Sequence, residues 1–106
     1  MNHRQTRVAE ALAHLAGEFL AREKLPGSLV TVTRAELSED FRNVTVFLSV
    51  LPQKQEGDAL AFAKRARSDF REYVKEHSFF HPVPTIDFEL DYGEKNRQRV
   101  DELTRK

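Results

Sequence analysis

The chain has 106 residues, 40% of them hydrophobic and 32% charged, with 17 Lys/Arg set against 17 Asp/Glu. That length suits one domain, residues 1–106, around a single modest core. Cysteine is absent, which excludes a disulfide framework, a thiol nucleophile and thiolate-ligated zinc.

No apolar run approaches the ~20 residues of a membrane span. The N-terminus lacks the apolar block and small-residue cleavage site of a secretory signal. The expectation is a cytoplasmic protein with no membrane partner.

Val8, Leu12, Leu15 and Phe19 fall at i, i+4, i+7 and i+11, which predicts a helix from about Thr6 to Arg22. Pro26-Gly27 is turn chemistry that ends it. Two strands follow. In SLVTVTRAEL, Val30 and Val32 share a face, and in NVTVFLSV the residues Val44, Val46, Leu48 and Val50 do so. The polar SEDFRN between them has hairpin length, so the strands are expected to pair antiparallel.

Asp58 is the expected N-cap of the next helix. Ala59, Phe62, Ala63, Ala66, Phe70, Tyr73, Val74 and His77 trace its apolar face, and the prolines of FFHPVP end it. A last strand, PTIDFEL, places Ile86, Phe88 and Leu90 inward and Asp87, Glu89 and Asp91 outward. Val100 and Leu103 suit a short C-terminal helix. The order helix–strand–strand–helix–strand packs as α+β: two layers, with helices on one face of a three-stranded sheet. The helical crossover between the last two strands makes that sheet mixed.

Charge is unevenly spread. Lys64, Arg65, Arg67, Arg71 and Lys75 lie in one short stretch. At about 100° per residue, Lys64, Arg67, Arg71 and Lys75 project within roughly 80° of one another. Cations on the helices and anions on a separate sheet back would polarise the surface. A cationic stripe suits a phosphate backbone, but a charged helix face is also what solvation alone produces. Both readings stay open on the residues.

Other chemistry finds little support. Asp87, Glu89 and Asp91 form a carboxylate row that a small metal-dependent hydrolase could use, although plain amphipathicity produces the same spacing. His77 and His81 are four apart, but Pro82 spoils the helical geometry of a zinc pair and no third ligand is evident. There is no Walker motif, dinucleotide fingerprint or nucleophile elbow. No catalytic residue, metal or cofactor is therefore assigned. Phe79 and Phe80 read as plugs between helix and sheet rather than base-stacking rings. Phe41 is ambiguous, as is Phe47 on the less buried strand face.

RQTRVAEALAHLAGEFLARE, LVTVTRAELSEDFRNVTVFLSVL with its Ser38-x-Asp40 turn, and PTIDFELD together resemble the ribosome-binding factor A family over nearly the whole chain. The resemblance implies a type II KH-like fold and a non-enzymatic assembly factor, and nothing in the residues demands more than a monomer. Such a factor binds the small ribosomal subunit and its rRNA and assists small-subunit rRNA maturation and growth in the cold. On that reading the cations Lys64, Arg65, Arg67, Arg71 and Lys75 are expected to contact phosphates, extended by Arg4, Arg7 and Arg42, with Ser68 at a kink whose backbone N–H groups also face phosphate. The family carries Ala-x-Gly at a kink between two helical segments, where this chain reads Ala66-Arg67-Ser68. Ser68 is expected to cap the second segment there, without glycine's freedom at positive φ. Arg97 stands where the family tends to have Gly. The runner-up is a protein-interaction domain of the same fold.

Overall fold

A computed structural model describes residues 3–23 and 27–93 of the chain. The expected C-terminal helix lies outside the described residues. Helix α1 spans His3–Glu23 and buries Leu12, Leu15 and Phe19 of the predicted stripe, with Ala16 and Leu20 beside them, while Val8 is half-buried. Gly27 follows with φ 77°, a backbone region open to glycine at little cost.

Strands β1 (Leu29–Leu37) and β2 (Asn43–Leu51) pair antiparallel. Val30 faces Val50 and Val32 faces Leu48, but Ala35 then faces Val46 and Leu37 faces Val44. Strict alternation from Val32 would turn Arg34 and Glu36 onto the core side. An irregularity between Val32 and Arg34 shifts the phase by one residue, as a β-bulge does, and brings in Ala35 and Leu37 instead. The start of α1 is tied to this strand end: buried Gln5 donates from Nε2 to the Leu37 carbonyl at 2.7 Å.

The hairpin turn is built by side chains. Ser38 Oγ donates to Asp40 Oδ1 at 2.6 Å, and the Arg42 N–H donates to the same oxygen at 3.1 Å. The Asn43 N–H donates to Ser38 Oγ at 3.0 Å. The Ser38 hydrogen bond first, and the Arg42 N–H second, hold the Asp40 carboxyl below its ordinary value of 3.8. Within this turn Phe41 takes φ 62°.

A 3-10 turn (Gln53–Gln55) leads into α2 (Glu56–Arg65), which is followed by α3 (Arg67–His77). The helix therefore begins ahead of Asp58, which sits in its first turn instead of capping it. There its carboxylate still faces the positive end of the helix dipole.

Strand β3 (Thr85–Leu90) pairs parallel with β2, giving the order β1-β2-β3 and the expected mixed sheet. Ala63, Ala66, Phe70, Tyr73 and Val74 bury against Val46, Leu48, Ile86 and Phe88. Phe70 centres the core: its ring lies 5.3 Å from that of Phe19 and 5.8 Å from that of Phe88. The residue after β3 departs from expectation. Asp91 is buried, accepts from Thr33 Oγ1 at 2.5 Å and lies 3.4 Å from Arg34 Nε. It joins the end of β3 to the β1 bulge.

Candidate nucleic-acid interface

The helix breaks at Ala66. Its φ and ψ of −89° and 6° leave the helical basin. Its N–H is shared between the carbonyls of Phe62 (3.0 Å) and Ala63 (3.1 Å), and its own carbonyl accepts from Phe70 N at 2.9 Å to restart the helix. The methyl group is buried in the core, so the break is anchored by packing. Ser68 does not cap the second segment as expected. Ala66 occupies the cap position with no side-chain cap bond, and Ser68 lies exposed within the first turn of α3. Asp69 in that turn complements the positive end of the helix dipole.

The expected stripe of cations is present, but its charges are largely engaged. Lys64 Nζ donates to Asp87 Oδ1 at 3.0 Å and Glu89 Oε2 at 3.1 Å. Arg67 donates from Nε to the Lys64 carbonyl at 2.8 Å and from Nη1 to Asp87 Oδ1 at 3.3 Å. Arg71 Nη2 donates to the Val83 carbonyl at 3.0 Å. Lys75 Nζ stands 3.7 Å from Glu72 Oε1 one turn away. Arg65 is exposed and makes no hydrogen bond or ion pair among the described residues.

The polarised surface expected from the sequence is therefore not what this edge of the molecule has. β3 is an edge strand lying against α2, so its outward carboxylates meet the helix cations instead of forming a separate anionic back. Hydrogen bonds to Asp87 and then Glu89 hold the Lys64 ammonium above its ordinary value of 10.5, against the effect of burial. Burial pushes the Asp87 carboxyl up, but the hydrogen bonds from Lys64 and the Phe88 N–H, with the charges of Lys64 and Arg67, outweigh it. The net position is below 3.8.

Arg4, Arg7 and Arg42 form a second group. The Arg4 guanidinium lies 5.3 Å from the centroid of the Phe41 ring. Arg42 is well exposed, with Nε 3.9 Å from Asp40 Oδ2. Both line a cleft of about 550 Å³ that also contains Phe41 and Phe80. Arg7 lines an adjoining groove that shares Arg4, Val8 and Phe80. Of the pair read as core plugs, Phe80 is half-buried against the core, whereas Phe79 is fully exposed. Phe47 is half-buried beneath the Arg34 guanidinium, 3.9 Å from its ring centroid.

Among the described residues no group of three His, Cys, Asp or Glu is placed to hold a metal ion. The carboxylate row is split: Asp87 and Glu89 face Lys64, while Asp91 is buried beside Thr33. The His77 ring stacks on Tyr73 at 4.0 Å. Among the described residues no helix is long and apolar enough to cross a membrane.

The family model of ribosome-binding factor A matches residues 4–104. The chain belongs to the ribosome-binding factor A family. A relative of that name from Thermomicrobium roseum is 31% identical, the match covering 98% of this chain and 83% of that protein. The crystal structure of ribosome-binding factor A from Thermus thermophilus shares the fold with a TM-score of 0.73 at 20% identity, over 81% of this chain and 94% of that one. A Thermus thermophilus RbfA homology model, fitted into a cryo-EM map of a 30S–RbfA complex, matches with a TM-score of 0.64 at 22% identity, over 88% and 97% of the two chains. The order of elements and the break at Ala66 in this chain follow the type II KH-like pattern expected of the family.

Proposed function

We propose that the chain is a non-catalytic, cytoplasmic RNA-binding factor, acting as a monomer through one KH-like domain over residues 1–106. It binds the small ribosomal subunit and its rRNA and assists maturation of that rRNA, including during growth in the cold. The observation that carries this reading is family membership over residues 4–104, together with a relative of the same fold fitted into a 30S complex. Lys64, Arg65, Arg67, Arg71 and Lys75 meet phosphates at the α2–α3 break, with the exposed first turn of α3 at Ser68 presenting backbone N–H groups to them. Arg4, Arg7 and Arg42 add contacts from the start of α1 and the β1–β2 turn. Such a factor acts by binding one RNA conformation more tightly than others and needs no bond chemistry.

Co-sedimentation with purified small subunits, large subunits and whole ribosomes across a salt series tests this. The expected result is selective pelleting with small subunits that weakens as salt rises and weakens further in Arg65→Glu, which removes a cation with no partner among the described residues. Equal pelleting with both subunits, or none, refutes it. The internal pairing of Lys64 and Arg67 supports one other reading, a protein-interaction domain of the same fold. Binding unchanged between low and high salt would favour that.

A further inference from the structure

We infer that the cleft between the start of α1, the β1–β2 turn and the Phe80–Thr85 segment binds an unpaired nucleobase of single-stranded RNA. This rests on the RNA-binding reading above and adds to it a site that contacts bases instead of phosphates alone. None of the cleft-lining residues lies on α2 or α3, so it is separate from the helix break.

Three observations carry it. The first is size: about 550 Å³ falls within the roughly 300–1,000 Å³ of clefts that take small-molecule-sized groups. The second is the conformation of Phe41. Its φ of 62° is unfavourable for a bulky residue, and the Ser38 and Asp40 hydrogen bonds described above hold the turn that imposes it. Strain of this kind persists where surrounding structure enforces it, and it clusters at ligand sites. Here it sets an aromatic ring in the cleft wall, with Phe80 also lining the space.

The third is charge. Arg4 and Arg42 line the cleft and Arg7 the adjoining groove, with His3 and His81 beside them. Asp40 is the single carboxylate lining either space among the described residues, and it already accepts from Ser38 and Arg42. Flat π faces and guanidinium groups, with cations outnumbering carboxylates among the described lining residues, match a ligand that is itself flat and carries an anionic backbone. An acidic peptide satisfies the cations but leaves the ring faces unused. Arg71 contributes from behind as a positioning residue, since its hydrogen bond to the Val83 carbonyl holds one wall.

The test is an NMR titration of the full chain with four probes: a short single-stranded RNA, an abasic strand of equal length, an RNA duplex, and polyglutamate of matched charge. The single strand is expected to bind about 5- to 160-fold more tightly than the abasic strand, the range set by stacking one base. Its shifts should centre on Arg4, Phe41, Arg42 and Phe80. Phe80→Leu and Phe41→Leu should each remove that preference while leaving weak, salt-sensitive binding. Should Phe41→Leu not fold, Phe80→Leu combined with Arg4→Gln reads the same site. Equal binding of the abasic strand, the duplex or polyglutamate overturns the inference, as do shifts confined to residues 64–75 or no binding at all. Small-subunit pelleting measured in parallel separates the two claims. Pelleting without base preference removes only the cleft, and base preference without pelleting removes only the ribosomal reading.

Discussion

Asp87→Asn combined with Glu89→Gln tests whether the chain restrains its own cations. In the native molecule Lys64 and Arg67 face two carboxylates at 3.0–3.3 Å. A phosphate that engages either cation competes with those carboxylates for its charge. Each cation that meets a phosphate of single-stranded RNA adds about 0.7 to the log–log salt slope. Neutralising both carboxylates releases two further cations, and the slope should rise by about 1.4 by the same rule, with tighter binding at low salt. The cost in stability should be small. These side chains are 34–48% exposed, so solvent screens the pairs to about 0–1 kcal/mol each. Asn retains an oxygen able to accept the Phe88 N–H now held by Asp87 at 2.9 Å. Fluorescence anisotropy with a labelled single-stranded RNA over a salt series, beside a thermal melt, measures both quantities. An unchanged slope and affinity in a folded double variant would refute the idea that Lys64 and Arg67 are phosphate contacts restrained by β3.

Phe70→Ala removes the fully buried ring that joins Phe19 to Phe88. A loss of about 3–5 kcal/mol is expected, readable as a shift in the urea midpoint. Ser68→Ala should change the melting temperature little and upward if at all, because no capping bond is lost and alanine favours helix. A clear destabilisation would mean that the hydroxyl holds the break after all. Ser38→Ala removes the donor to Asp40 and the acceptor for Asn43 N, at a cost of about 1 kcal/mol. Asp40 titrates below its ordinary 3.8 in the folded chain, so its contribution is present above pH 3.8 and is lost as pH falls through the lowered value. The acid limb of the stability curve should therefore flatten in Asp40→Asn. For Lys64, whose value is raised above 10.5, the contribution is complete below that pH and disappears as pH climbs through the raised value.

Several features were legible in the residues because they are local. The stripe from Val8 to Phe19 and the alternation of Val44, Val46, Leu48 and Val50 state which face is buried. SEDFRN marks the hairpin, and the apolar spacing from Ala59 to Val74 marks the second helical layer. The bulge was hidden, since Thr33 has no signal of its own and the extra residue shows only once Ala35 must oppose Val46. The start of α2 at Glu56 was missed for a similar reason: Asp58 suits a cap and a first turn equally well. Phe41 and Phe80 looked like any half-buried aromatics, because a cleft shared by α1, a turn and a distant loop leaves no periodic trace.

Element order, the mixed sheet and the buried faces of α1, β2 and the second helical layer were thus determined by the sequence itself, because hydrophobic periodicity acts over a few residues and burial follows it. Only the tertiary structure decided which charges meet. Lys64 and Glu89 are 25 positions apart, and nothing in their local sequence brings them together. They do so because the crossover seats α2 beside an edge strand, where electrostatic pairing depends on distances that packing alone sets.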